Sequence, residues 1–453
     1  MHGEDSDRGA WARLEIFISD VDINIFRHLS AVSATLELEV RTRGSEGTLT
    51  AILNGIRILE VAEHTFVPAA SALLADWGAD VIKIEHVERG DAMRGLASTG
   101  MSAIGGGVHA LLEHSNRGKR SLALDLTSAE GLDVLYKLAA TADVFLTNKL
   151  PGVRAKLGIG LDQIRAHNPL IIYVRGTGQG ERGPDADKGS YDSLAFWARA
   201  GAAIGTMRPE YDLVPTPPGP GYGDSLGGMT IAGGILGALF HRERTGEPTT
   251  VDVSLLGTGL WAMGQAIALS ELMGTPWQPP PQEQMSKNPL VANYLTKDNR
   301  WIALTCLQAG KYWGPLCVAI GRPEFAQDPR FADHVALLAH SHDAVDVLNE
   351  AFAQATVEEW RVRLDSFVGQ WTVVQHTLEA ANDLQSVANG YMQDCVTADG
   401  KPFRLVAAPV QYDEQPATPG RAPEFNEHGD EILLELGFDM DTIINLKISG
   451  AVA

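Results

Sequence analysis

Gly55-Ile56-Arg57-Ile58-Leu59-Glu60-Val61 reads as a buried β-strand, a largely apolar run entered through a glycine. The residues after it decide the fold class. Residues 68–77 have the make-up of a helix that starts on Pro68 and stops near Gly78, and Ala79-Asp80-Val81-Ile82-Lys83-Ile84-Glu85 is a second strand. Further strands are predicted over 121–126, 144–146 and 171–174, with a helix over 129–140 between the first two. Strands alternating with helices of this length predict an α/β fold with a doubly wound parallel sheet covered on both faces.

Farther along, Pro215-Thr216-Pro217-Pro218-Gly219-Pro220-Gly221 is too stiff and turn-prone for regular structure. Residues 276–287, with Pro279-Pro280-Pro281 inside them, read as a linker. A strand pattern resumes over 301–305, helical runs broken by glycine and proline continue to about 385, strands follow over 392–406, and 428–446 are helical. Residues 1–47 mix charges with short apolar runs over 14–21 and 36–40 and read as an N-terminal extension.

With 453 residues, 45% of them apolar and 21% charged, the chain has room for two domains. A formal charge of -21 opposes nucleic acid as a partner, because a phosphate backbone needs a basic stripe, yet a local cluster of cations can still hold a small anion. Cys306, Cys317 and Cys395 lack the spacing of a zinc site or a disulfide framework, so no metal is expected. No basic segment followed by an apolar run opens the chain, and stretches such as 230–240 are too short to span a bilayer. A cytoplasmic protein with no membrane partner is expected.

The chemistry centres on Gly223-Asp224-Ser225-Leu226-Gly227-Gly228, a small-residue turn with one carboxylate that leads into an apolar run. A carboxylate held at a glycine-lined turn can be approached by a bulky reactant, which suits a covalent acyl-transfer nucleophile; the plainer reading is a helix N-cap.

A set of short motifs accompanies it: Leu53-Asn54-Gly55-Ile56-Arg57, Gly90-Asp91-Ala92-Met93-Arg94, Asn116-Arg117-Gly118-Lys119-Arg120-Ser121-Leu122, Pro151-Gly152-Val153, Asn168-Pro169-Leu170, Gly178-Gln179-Gly180, Arg244-Thr245-Gly246 and Arg421-Ala422-Pro423. In this order and spacing the chain resembles the class III coenzyme A transferases, the family of formyl-CoA transferase, the carnitine-related CoA transferases and alpha-methylacyl-CoA racemase. The resemblance implies a large domain with a Rossmann-like sheet, a smaller α+β domain, a final segment that returns to the large domain, and an interlocked homodimer. The corresponding divisions are 1–47, 48–274, 275–385 and 386–453. It also implies CoA transfer from an acyl-CoA to a carboxylic acid through an aspartyl anhydride and an enzyme–CoA thioester, with acyl-CoA as substrate and no tightly bound cofactor. Racemisation or an intramolecular CoA shift on the same fold, or CoA binding without catalysis, are the alternatives.

Residue by residue, the resemblance makes Asp224 the nucleophile; its tetrahedral intermediates need oxyanion donors, for which the amides of the nearby Gly227 and Gly228 are candidates. Tyr191-Asp192 matches a second active-site pair, in which the racemases carry histidine where Tyr191 stands. A tyrosine with its ordinary pKa near 10 is a poor base, which disfavours two-base racemisation. Tyr191 would then position an acyl group, or pack beside Leu194 and Phe196. His64 and Thr65 fall at the C-terminal end of the first strand, where ligands of open α/β sheets sit, although a lone loop histidine is also an ordinary hydrogen-bonded residue. For coenzyme A the resemblance implies Arg94, Asn116, Arg117, Lys119, Arg120, Asn148 and Lys149, with Arg117, Lys119 and Arg120 as a local basic patch or else a solvated turn. Where the family reads Asn-Phe-Arg-Pro-Gly this chain has Asn148-Lys149-Leu150-Pro151-Gly152, so leucine replaces arginine, with Arg154 one turn on. The proline-rich residues 279–290 replace the glycine-rich lid of the formyl and oxalyl enzymes. Phe66, Phe196 and Trp197 near the acyl end would suit a larger, less polar acyl group. A nicotinamide dehydrogenase is disfavoured, because Ala62-Glu63-His64 after the first strand carries no glycine fingerprint.

Overall fold

The structure is a computed structural model that describes residues 51–99, 107–281 and 287–453; the apolar runs over 14–21 and 36–40 and the middle of the proline-rich stretch lie outside the described residues. Of residues 1–54 it describes one turn, closed by the Asn54 amide donating to the Ala51 carbonyl at 2.8 Å.

Gly55–Ala453 forms one compact unit. It opens with β1 (Arg57–Val61), α1 (Phe66–Asp76), β2 (Asp80–His86), α2 (Ala110–Asn116), β3 (Arg120–Leu124), α3 (Ala129–Thr141), β4 (Val144–Thr147), α4 (Pro151–Lys156), α5 (Leu161–His167) and β5 (Ile172–Thr177). A long helix, α6 (Tyr222–Thr245), then leads to β6 (Thr250–Ser254), α7 (Leu255–Ala262) and α8 (Gly264–Met273). The six strands run parallel in the order β3-β2-β1-β4-β5-β6. The chain therefore builds outward from β1 to β3 and then returns to place β4 on the other side of β1. That reversal opens a crevice beyond the C-terminal ends of β1 and β4, the place where doubly wound sheets bind ligands.

One face of the sheet packs Leu59, Ile84, Leu122 and Phe145 against Val134, Leu135 and Leu138 of α3. Ile432 and Leu433, together with Ile443 and Leu446 from a downstream segment, complete the same core. That segment also extends the edge of β3: Val452 bridges Leu124, and the Asp125 amide donates to the Ala451 carbonyl at 2.9 Å. A second core, between Leu290 and Val373, fills a smaller antiparallel sheet of β7 (Val291–Leu295), β8 (Trp301–Thr305) and β9 (Trp371–Val373) with its flanking helices. β10 (Met392–Val396) and β11 (Pro402–Val406) form an antiparallel hairpin.

Two boundaries differ from the sequence expectation. α1 begins at Phe66, so Pro68 is its third residue; the first-turn amides of a helix have no intrahelical acceptor, and proline there loses no bond. Residues 223–228 are not a turn. α6 starts at Tyr222, and the turn lies just before it at Gly221, which has φ 66°. Among the described residues no helix is long and apolar enough to cross a membrane, and no group of three or more His, Cys, Asp or Glu side chains is placed to hold a metal ion.

Candidate active site

Between β1 and α1 the chain turns through Ala62-Glu63-His64-Thr65. His64 adopts a left-handed backbone with φ 69°, a conformation that costs a non-glycine residue about 1 kcal/mol. The turn is held from below. The His64 amide donates to Asp91 Oδ1 at 2.9 Å, and the Met93 amide donates to the same oxygen at 2.8 Å. Lys83 Nζ lies 2.7 Å from Asp91 Oδ2 and 2.8 Å from Glu60 Oε1, and it donates to the Ala62 carbonyl at 3.0 Å. Lys119 Nζ reaches the other Glu60 oxygen at 2.8 Å, and Ser71 Oγ donates to Glu60 as well.

Burial alone would raise Glu60, but Lys119 and Lys83 outweigh it and hold the carboxyl below its usual range. Asp91 is likewise lowered by Lys83 against burial. For Lys119 burial wins over Glu60 and brings the ammonium down to about 8. A buried network of this kind is worth little net stability against an apolar core, but losing one partner strands a charge. Here it fixes the path of the 62–65 turn.

That turn meets the start of α6. A Cβ on Gly221 would lie 3.3 Å from Thr65 Cγ2 and 3.9 Å from Asp224 Cβ, so glycine is needed both for space and for its positive φ. Asp224 is the third residue of the helix and not its cap; Gly221 is the cap. The cap-only reading of Asp224 is thereby corrected. Asp192 ties its own segment to the helix start: its Oδ1 accepts from the Ser193 amide at 2.7 Å and its Oδ2 from the Gly223 amide at 3.1 Å. Burial first, and the Asp192 charge second, push the Asp224 carboxyl up to about 7. The first-turn amides favour the anion but do not offset these two effects. Asp224 is therefore not the firmly ionised carboxylate that a capping role implies, but a group poised between its two forms near neutrality.

Tyr191 stands over this corner. Its ring meets His64 edge-on with centroids 5.8 Å apart, and the residue is 61% exposed, so it is not packed in the core. Phe66, Phe196 and Trp197 are core residues; Phe196 lies under Gly223, where a Cβ would come within 2.6 Å of its Cγ. The aromatic rings open to a ligand here are those of Tyr191 and Tyr222. His114 is a neighbour that sequence reading missed. Its Nε2 is 3.5 Å from Ser225 Oγ, and burial, then the Arg117 charge, push it down to about 4, which leaves it neutral.

The amides of Gly227 and Gly228, expected to face an oxyanion, are placed differently by the helix. They lie beyond the first turn of α6, where amides bond within the helix. Their lack of a side chain instead lets α1 approach: a Cβ on Gly228 would meet Ala69 Cβ at 2.9 Å. The amides left over by helix geometry are those of Tyr222, Gly223 and Asp224.

The crevice at the strand ends, about 290 Å³, is lined by Glu63, His86, Arg89, Lys149 and Lys156, with Val61, Ile84, Leu124 and Leu157 as an apolar floor. Asn148 pins its rim to the turn, with Oδ1 accepting from the Glu63 amide at 3.2 Å and Nδ2 donating to the Glu63 carbonyl at 2.7 Å. One short turn, 62–65, thus borders both this crevice and Asp224.

The other residues proposed from sequence for coenzyme A go elsewhere. Asn116, Arg117 and Lys119 are at most 4% exposed; Arg117 is paired with Asp76 at 2.8 Å and Lys119 with Glu60. Arg120 opens β3 and so lies at the N-terminal end of the strands, paired with Asp80 at 2.8 Å and Glu435 at 2.7 Å. The three do not form a basic patch. Arg94 is bidentate on Glu85, with both bonds at 2.7 Å, and Arg154 is paired with Glu181. Arg89 and Lys156 were missed; the available signal was their place just after β2 and at the end of the helix after β4.

The sequence matches the model of CoA-transferase family III over residues 53–429. It is 32% identical over 404 residues to (R)-2-hydroxy-4-methylpentanoate CoA-transferase of Clostridioides difficile, a match that spans 88% of this chain and 99% of that protein. It is 27% identical to cinnamoyl-CoA:phenyllactate CoA-transferase of Clostridium sporogenes, across 88% of this chain and 96% of the relative. Among solved structures, a CAIB/BAIF family protein from Brucella suis superposes with a TM-score of 0.72 at 27% identity, covering 85% of this chain and 99% of that one.

Proposed function

The chain belongs to CoA-transferase family III, whose relatives move CoA between acyl-CoA thioesters and carboxylic acids, and on that premise we propose that Asp224 is the group that carries the transfer. The observation that carries this reading is the setting of Asp224: half-buried, at the start of a glycine-rich helix, and joined to the strand-end crevice by the 62–65 turn.

In this reading the Asp224 carboxylate attacks the donor thioester carbonyl. The carbon–sulfur bond breaks, leaving an aspartyl anhydride and CoA thiolate. The thiolate attacks the aspartyl carbonyl and releases the donor acid, which leaves an enzyme–CoA thioester. The acceptor carboxylate attacks that thioester to give an anhydride and free thiolate, and the thiolate then takes the acceptor acyl group and regenerates Asp224. Every intermediate has an activated acyl group, so the exchange proceeds near thermoneutrality. Once acylated, Asp224 carries no charge, so its repulsion from Asp192 disappears; this favours the covalent intermediates. The amides of Tyr222 and Asp224 are the candidate oxyanion donors.

The nucleotide end of CoA is assigned to the crevice, where Arg89, Lys149 and Lys156 meet its phosphates and the apolar floor takes the adenine. His64 and Tyr191 are assigned to the acyl group. Two relatives are named for 2-hydroxy acids with apolar side chains, and an acceptor of that kind suits the open aromatic rim. A homodimer is part of the proposal: α8 buries none of its residues within the chain, and Trp261 just before it is 87% exposed. A cytoplasmic location fits a CoA-dependent reaction.

Incubation with acyl-CoA followed by hydroxylamine, read by mass spectrometry, tests the covalent step. An Asp224 hydroxamate that is absent in D224A is expected; binding and turnover without any adduct at Asp224 would refute it. Epimerisation is the second reading, favoured by the position of the Asp224 pKa near 7, which also suits a general base. Deuterium uptake at the alpha carbon in heavy water without a second acid would support it instead.

A further inference from the structure

The crevice assigned to the CoA phosphates already contains an anion of the protein's own. Lys149 Nζ is 2.8 Å from Glu63 Oε1, and Arg89 Nη2 is 3.8 Å from the same oxygen. Lys156, on the same wall, has no ion pair among the described residues. Two of the three cations facing the crevice therefore converge on one carboxylate oxygen, as they would on a phosphate oxygen.

The Glu63 side chain is 19% exposed and that of Lys149 21%, so their pair is screened less than a fully solvated one. The carboxylate does no evident structural work for the turn. Asn148 holds the Glu63 backbone through both its amide and its carbonyl, and Asp91 holds the next amide. Both contacts survive loss of the side-chain charge.

We propose that Glu63 is an internal competitor for the CoA phosphates, a residue that sets both affinity and the preference between phosphorylated and unphosphorylated forms of the carrier. A bound phosphate must take Lys149 and Arg89 away from Glu63, and the freed carboxylate then repels it. Ligands without phosphates do not pay this penalty. The inference rests on the assignment of the crevice to the nucleotide end of CoA.

Calorimetric titration of CoA, adenosine 3′,5′-bisphosphate and pantetheine into the full chain tests it, with Glu63→Gln, Lys149→Met and Lys156→Met as variants. An exposed-to-half-buried ion pair is worth up to about 1 kcal/mol, so E63Q is expected to tighten CoA and the bisphosphate roughly fivefold. Pantetheine should bind as before, and the salt dependence of CoA binding should steepen because the crevice becomes more positive. The gain should shrink in the E63Q/K149M double variant. A second variant, Glu63→Ala, should act in the same direction.

Unchanged or weaker CoA binding in E63Q, while K149M and K156M still weaken it, would overturn the role of Glu63 alone. CoA binding indifferent to K149M and K156M would overturn the crevice assignment and this inference with it. Equal weakening of all three ligands, with a lower melting temperature, would show that the side chain is structural and also overturn it.

Discussion

Replacing Asp192 with asparagine is expected to move the acid limb of CoA transfer to lower pH. The Asp224 carboxyl is carried from 3.8 to about 7, an ionisation penalty of ~4 kcal/mol at about 1.36 kcal/mol per pH unit. Burial is the larger cause and the Asp192 charge the smaller. Asp192 Oδ2 bonds the amide of the residue next to Asp224, so the two carboxylates are close neighbours, and at a partly screened site they repel by ~1–2 kcal/mol. Removing that charge should lower the midpoint of the limb by about one pH unit, still well above an ordinary aspartate because burial is untouched.

The assay is kcat/KM for CoA transfer between about pH 5 and about pH 9, which reports groups of the free enzyme. Asparagine offers one acceptor oxygen to the two amides of Ser193 and Gly223, so D192N should also lose ~1 kcal/mol of stability. Melting temperatures at each pH separate that loss from the titration. A wild-type limb below about pH 5, or a limb that D192N leaves in place, would refute the argument.

Three further outcomes follow from the same geometry. Because the folded pKa of Asp224 lies above its unfolded value, the native state holds an extra proton between about pH 4 and about pH 7, and stability falls as pH rises through that window. D224N removes the penalty, so its gain in unfolding free energy should be largest above pH 7, up to ~4 kcal/mol, and shrink toward pH 4, while transfer is abolished. G228A should lose ~1–3 kcal/mol in urea unfolding, since its methyl would meet Ala69 Cβ at 2.9 Å and the Ala70 amide at 3.2 Å; a neutral result would contradict the close approach of α1 and α6. H64G should be as stable as the parent or better by up to ~1 kcal/mol, because glycine accepts φ 69° freely; a clear loss would show that the imidazole supports the turn.

The parallel sheet was legible because its strands are short apolar runs with helix signals between them, and periodicity survives in any context. The start of α6 was not. Gly223, Gly227 and Gly228 look like turn residues, yet their missing side chains serve helix packing, which depends on Phe66, Ala69 and Phe196 from elsewhere in the chain. Site residues split along the same line. Asp224, Asp192, His64 and Tyr191 converge, because all lie at strand ends or helix starts on one side of the sheet. Arg117, Lys119 and Arg120 are consecutive enough to suggest a patch, but successive positions entering β3 point in different directions, and each meets its own carboxylate. The buried charges Glu60, Lys83 and Asp91 carried a signal that went unused: ionisable residues inside or beside apolar strands must find partners.

The edge formed by Leu124 and Val452 joins residues 328 positions apart (452 − 124). Until the stretch around Ile432 to Val452 has been synthesised and has docked, the β3 side of the sheet lacks the part of its core that Ile432, Leu433, Ile443 and Leu446 supply, and Leu124 lacks its bridge to Val452. Closing so long a loop is slow, and a sticky half-finished sheet is what chaperones hold. Nascent chains stalled within the smaller antiparallel sheet, residues 291–373, should therefore depend on such assistance, whereas chains that have passed the C-terminal stretch should not.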